Sequence, residues 1–186
     1  MIGHRLWRDR RGVAAVEFAI FVQILALLFA GTFDIGAVIY KRFLLDNALN
    51  AAANYAINNQ ANVTASTGVA LAVTLGNITA NTVGTNYANA VVVVNNGPTR
   101  TVTNGTGANI GATAGADYCY CPTLTAGAGS AIVWGSAVVC GSACASGLRA
   151  GKFVTLTASR AHSPLFSNYG IVHAGTISVS TTVQVA

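Results

Sequence analysis

The chain has 186 residues, of which 8% are charged and 53% apolar, with a formal net charge of +5. Globular proteins carry about 25% charged residues, so this composition excludes an ordinary, well-solvated monomer. Nucleic-acid binding is also excluded: Arg5, Arg8, Arg10 and Arg11 cluster ahead of an apolar run, and no later basic cluster is interleaved with aromatics.

Between Ala19 and Ile39 the polar side chains are Gln23, Thr32 and Asp34 alone, and no proline interrupts the run. At helical rise it is long enough to cross a hydrocarbon core of roughly 30 Å. The arginines ahead of it place the N-terminus in the cytoplasm and the chain after Tyr40 across the membrane, an asymmetry that Lys41 and Arg42 weaken without reversing. Ala15/Ala19 and Ala26/Ala30 are small-residue pairs that let another helix approach. Gly31 and Gly36 bracket Asp34, so this segment is expected to loosen when the helix leaves lipid, with Asp34 solvated at the outer interface. From Lys41 to about Asn58, Phe43, Leu44, Leu49, Ala52, Ala53, Ala56 and Ile57 recur at three- and four-residue steps, which predicts that the helix continues with one face laid on a sheet.

The junction Arg10-Arg11-Gly12-Val13-Ala14-Ala15-Val16-Glu17-Phe18 has the glycine before the apolar core, whereas a secretory signal has its small-residue cleavage site after it. This order resembles the leader of type IV pilins and pseudopilins, and Glu17-Phe18 resembles the tight-adherence (Flp, type IVb) branch. Gly31-Thr32-Phe33-Asp34-Ile35-Gly36, followed by Tyr40 and an amphipathic run, is similar to the TadE-like pseudopilins, although Ala37 stands where many relatives have a basic residue. The resemblance implies a leader over residues 1–12, cut between Gly12 and Val13 by a prepilin peptidase. It further implies a transmembrane assembly helix over 13–40, a stem helix over 41–58 and an extracytoplasmic head over 59–186. Other pilin and pseudopilin subunits, an inner-membrane pilus assembly platform and the lipid bilayer are the implied partners. Physics gives Glu17 a role of its own: a carboxylate one turn inside an apolar helix is costly to bury unpaired, and the new amine at Val13 of a neighbouring subunit is a suitable partner. Glu17, Phe18 and Asp34 are thus the expected assembly residues.

After the helix, residues 60–116 drift into Ala, Asn, Thr, Val and Gly. A short helix is expected over Val69–Leu75, capped from Ser66 or Thr67. A strand over Ala90–Val94 is stopped by Asn95-Asn96-Gly97-Pro98, and Thr99–Thr103 returns as a second strand. Asn104–Gly115 reads as loop.

Cys119, Cys121, Cys140 and Cys144 form two close pairs, which beyond a membrane crossing read as two disulfides. Either Cys119 bonds Cys140 and Cys121 bonds Cys144, or the crossed connectivity holds. A tetrahedral zinc shell is the rival use of four thiols, but spacings of one and three intervening residues do not match the usual knuckle, so no metal is expected.

Lys152–Ala158 and Thr176–Val185 alternate as antiparallel strands around a break at Ser163-Pro164-Leu165-Phe166, with Val154, Leu156, Ile177, Val179 and Val183 as core. This ending is also similar to TadE-like and TadG-like proteins. Tyr118 and Trp134 are expected to pack over the sheet, and His162 and His173 to be exposed loop residues. Past the stem, Asp117 is the one acid, and the sequence holds no nucleophile elbow, metal-binding histidine pair or phosphate loop, so neither catalysis nor a cofactor is expected. The reading is an α+β minor pilin or pseudopilin that takes part in pilus assembly, with surface adhesion downstream. The alternative is an uncleaved single-pass adhesin or structural protein of the cell envelope.

Overall fold

One helix, α1, runs unbroken from Val13 to Asn58, 46 residues, in the computed structural model, which describes residues 12–124, 132–165 and 172–186. The arginine-rich leader and Phe166 of the strand break lie outside the described residues. The helix is continuous from Gly31 to Gly36. Its backbone is hydrogen-bonded through that segment, and Thr32 turns its hydroxyl back to donate to the Leu28 carbonyl at 2.8 Å.

The chain forms two compact units, Met1–Tyr40 with His162–Gly175, and Lys41–Ala161 with Thr176–Ala186. In the second unit a five-stranded sheet has the order β3-β2-β1-β6-β7, with β1 Asn89–Val94, β2 Thr99–Thr103, β3 Thr106–Ile110, β6 Phe153–His162 and β7 Gly175–Gln184. A small ribbon pairs β4, Thr123–Leu124, with β5, Ile132–Val133. The fold is therefore α+β, as expected.

Two helical stripes cover one face of the sheet. Along the part of α1 after Tyr40 the buried residues are Leu45, Ala48, Leu49, Ala52, Ala53 and Ala56, a strict alternation of three- and one-residue steps that marks one helix face. Leu45 anchors this stripe. Phe43, two residues and so about 200° around the helix from it, is 60% exposed, and Ile57 is also exposed, which corrects the expected stripe at both ends. A second helix, α2, spans Gly68–Asn81 and buries Leu71, Ala72, Leu75 and Gly76 on the same principle. It runs a full turn and more past the expected Leu75. The expected hydroxyl cap is not made: Thr67 donates its hydroxyl to the Asn62 carbonyl at 2.9 Å, and Thr64 Oγ1 accepts the Thr67 N–H.

Beneath the helices lie Val92 and Val94 of β1 and Val154, Leu156 and Ala158 of β6, all buried, with Ile177, Val179 and Val183 of β7 packed against them. Every expected strand core residue is thus in the cluster. Leu45, Leu49, Leu75 and Leu156 are fully buried, and truncating any of them to alanine costs about 2–5 kcal/mol.

Turn chemistry sets the register. Asn95 and Asn96 both adopt positive φ, 48° and 53°, and return the chain into β2 with Val92 opposite Arg100. Asn104 and Gly105, at φ 48° and 80°, make a two-residue hairpin from β2 into β3, so the stretch expected as loop from Asn104 to Gly115 holds a strand and then a short 3-10 turn, Thr113–Asp117.

Asn95 is the buried polar hub of this unit. Its side-chain nitrogen donates to the carbonyls of Tyr118 at 2.6 Å, Ala116 at 3.2 Å and Gly115 at 3.3 Å, and its side-chain oxygen accepts the Phe153 N–H at 3.1 Å. One amide therefore joins the β1–β2 turn, the start of β6 and the segment that leads into the cysteines. That segment passes very close: a Cβ at Gly115 would sit 2.1 Å from the Asn96 carbonyl oxygen, so only glycine fits there.

Candidate functional site

The N-terminal part of α1 is a long, exposed apolar surface. From Val13 to Phe29 every residue is exposed, Phe18 at 70%, Phe21 at 73% and Ile24 at 58%. Soluble monomers do not present contiguous apolar area on this scale, and the helix is long and apolar enough to cross a membrane.

Gly12 directly precedes Val13, the first α-helical position. Glu17 follows one turn later. Both Glu17 and Phe18 are exposed, and Glu17 has no ion pair or hydrogen bond among the described residues. The helix thus aligns the expected cleavage junction, the acid and its aromatic neighbour, and gives Glu17 no ion pair or hydrogen bond among the described residues.

Asp34 behaves differently from expectation. It is 3% exposed rather than solvated, and its Oδ1 accepts the backbone N–H of Leu165 at 2.8 Å. The physical reason is chain reversal after β6: Ser163-Pro164 ends the strand, leaves the next amide without a ladder partner, and the carboxylate supplies one. Nothing in the sequence reading pointed to Leu165 as the donor; the proline break was the one available signal. Phe29, Phe33, Tyr40 and Leu165 help to wall an apolar groove of about 470 Å³ beside it.

All four cysteines are bonded, Cys119 to Cys140 and Cys121 to Cys144, with Cα separations of 5.1 and 5.6 Å. Positions i and i+2 share one side of an extended segment, so Cys119 and Cys121 both reach the second pair; of the two connectivities this leaves, the bonds are the uncrossed ones. Tyr120, between them, is buried and meets Trp134 edge-on with ring centroids 5.7 Å apart. Tyr118, expected over the sheet, is 54% exposed instead.

The remaining polar candidates serve structure. Asp117 Oδ1 accepts the Ala65 N–H at 2.8 Å. His162 is 5% exposed, a correction to the loop placement, because β6 runs on to it and its alternation turns even-numbered residues inward. His173 is exposed. Among the described residues, no three His, Cys, Asp or Glu side chains gather to hold a metal.

Residues 12–54 match the family described as TadE-like protein. The N-terminal segment is TadE-like. The match opens at Gly12, runs through Glu17 and Asp34, and ends inside the buried alanine stripe of α1. No curated protein and no solved structure matches the chain. The TadE-like segment therefore covers the exposed apolar half of α1 and most of its amphipathic continuation, but neither the sheet nor the disulfides.

Proposed function

We propose that this protein is a minor pilin or pseudopilin of a tight-adherence pilus, processed after Gly12 and assembled through the apolar half of α1. The TadE-like match, which begins at that glycine and covers an exposed apolar helix, carries the reading. In it, a prepilin peptidase cuts the Gly12–Val13 bond on the cytoplasmic side and leaves a free amine on the first helical residue. The chain is held in the inner membrane by one crossing, with the disulfide-bonded α+β unit in the periplasm, where the four cysteines are oxidised.

Assembly exchanges lipid for protein around α1. Apolar side chains gain little by that exchange, since lipid is as apolar as they are, so specificity comes from polar pairing and close packing. Glu17 supplies the polar term: its carboxylate pairs with the Val13 amine of an adjacent subunit, where low dielectric strengthens the attraction. Phe18 and the small residues shape the contact. Partners of this kind are other pilin subunits and the membrane assembly platform, and adhesion to a surface is the downstream role.

Co-expression with the cognate prepilin peptidase, followed by intact-mass measurement and N-terminal sequencing, tests the reading. A mature chain that starts at Val13, and a Gly12→Leu variant that stays uncut, are the expected results. A chain that retains Met1 in the presence of active peptidase overturns processing and leaves a single-pass envelope protein.

A further inference from the structure

We propose that a polar cavity in the α+β unit binds an acidic sugar, a hydroxylated ring that bears a carboxylate. The cavity has a volume of about 320 Å³ and lies among the connection from α2 into β1, the β2–β3 turn and the end of β6, with Asn86, Tyr87, Asn89, Asn104, Ser159 and Arg160 in its walls. It belongs wholly to the unit built on Lys41–Ala161, so the proposal does not rest on how the N-terminal helix is processed or assembled.

Arg160 is its centre. The guanidinium carbon sits 3.8 Å above the Tyr87 ring centroid, which holds the planar group flat and fixes where its edge points. Its Nη1 is buried with no hydrogen-bond partner, and Arg160 makes no ion pair among the described residues. No acid lines the cavity, and Asp117 of the same unit holds the Ala65 amide. Nη1 itself is closed off from solvent, so a ligand meets Arg160 through the part of the guanidinium that lines the cavity; a cation fixed there with no acid in the wall is a site for a carboxylate.

The rest of the wall matches hydroxyls. Asn86 and Asn104 are both in the left-handed conformation, φ 53° and 48°, and their backbone N–H groups are tied down by the side chains of Asn81 at 2.7 Å and Asn89 at 2.9 Å. Their own carboxamides make no hydrogen bond among the described residues, and each can both donate and accept. The Asn86 amide occupies the place of a Cβ on Gly105, 2.5 Å from that point, so the turn glycine sets its position. A simple oxyanion would satisfy Arg160 and leave these groups idle. A neutral sugar would meet them without the charge, and the Tyr87 face in the wall, which would otherwise stack on its ring, is already covered by Arg160. The volume stands at the small end of ligand clefts, suited to one monosaccharide unit.

Ligand-observed NMR and calorimetry on the full chain in nanodiscs test this, with glucuronate, glucose and inorganic phosphate as probes. Glucuronate is expected to saturate with a Kd of about 1 mM, and glucose and phosphate each to bind at least about tenfold more weakly. Arg160→Gln is expected to weaken glucuronate about tenfold or more with the circular-dichroism spectrum and thermal midpoint retained. If that variant unfolds, Asn86→Gly and Asn104→Gly, which keep the turn conformation and remove one amide each, are expected to weaken glucuronate several-fold. Equal binding of glucose, equal binding of phosphate, or wild-type affinity in the variants overturns the assignment. A glucuronate oligomer distinguishes sources: tighter binding than the monomer assigns a polysaccharide, and equal binding a free sugar acid, and either keeps the site.

Discussion

The carboxylate of Asp34 accepts the backbone N–H of Leu165 at 2.8 Å, a contact that joins positions 131 residues apart in sequence. It gives the TadE-like segment a structural acid, distinct in role from the exposed Glu17 four turns and more before it. A hydrogen bond to a buried charged group contributes about 1.5–3 kcal/mol. Asp34→Ala is therefore expected to speed amide exchange at Leu165 roughly ten- to a hundredfold, measured by hydrogen–deuterium exchange, with smaller change in β1 and β6. Asp34→Asn keeps an acceptor oxygen and is expected to retain most of the protection. Unchanged exchange in the alanine variant contradicts the assigned role.

Asn95 is expected to be the most sensitive polar residue of the α+β unit. Replacing it with alanine leaves three carbonyls and one N–H without their partner, each group costing about 1–3 kcal/mol if water cannot reach it, and places a Cβ residue without local polar compensation at φ 48°. Asn95→Asp is expected to be as damaging at neutral pH, since a carboxylate cannot donate to those carbonyls. Denaturant titration of the full chain should show either variant shifted by several kcal/mol, and Asn95→Gly, which relieves only the backbone, recovering a minor part.

What the sequence disclosed followed the range of the interaction. The apolar run and the small-residue stripe gave α1 to its last residue, and Asn95-Asn96-Gly97-Pro98 gave the β1–β2 turn, because turn chemistry is written in adjacent residues. Strand β3 was missed although Asn104-Gly105 signals a hairpin, because Thr106-Gly107-Ala108-Asn109-Ile110 has little strand propensity and owes its form to pairing with β2. Cysteine pairing stayed open, since spacing alone does not choose between two cross-connections. The Asp34–Leu165 contact and the stacking of Arg160 on Tyr87 were not legible at all: each depends on tertiary placement of residues far apart in the chain.

The two disulfides enclose loops of similar length, with separations of 21 and 23 residues, so loop entropy assigns each about 3 kcal/mol. Environment separates them at one end. Cys119 is 2% exposed and lies beside buried Tyr120, although its partner Cys140 is exposed, whereas Cys121 and Cys144 are both half-buried. Replacing Cys119 and Cys140 together by serine should lower the thermal midpoint more than replacing Cys121 and Cys144, because it also leaves a hydroxyl in a closed site. Scanning calorimetry on both double variants checks the order, and equal midpoints would show that loop closure alone matters.

Glu17 is expected to separate folding from assembly. Its side chain is exposed and unpaired among the described residues, so Glu17→Gln should leave the stability of the α+β unit within about 0.5 kcal/mol of the wild type and leave cleavage after Gly12 intact. Within a filament the same change removes one partner of a desolvated pair and leaves the Val13 amine buried alone, at a cost of about 3–5 kcal/mol. That corresponds to more than a hundredfold in association. Recovery of the variant on isolated pili, quantified against the membrane pool, is therefore expected to fall to background while the membrane pool rises. Glu17→Asp, which keeps the charge on a shorter arm, should recover part of the incorporation. Wild-type incorporation of the glutamine variant, with processing verified by intact mass, would remove the ion pair from the assembly mechanism and leave apolar packing of Phe18 and its neighbours to account for it.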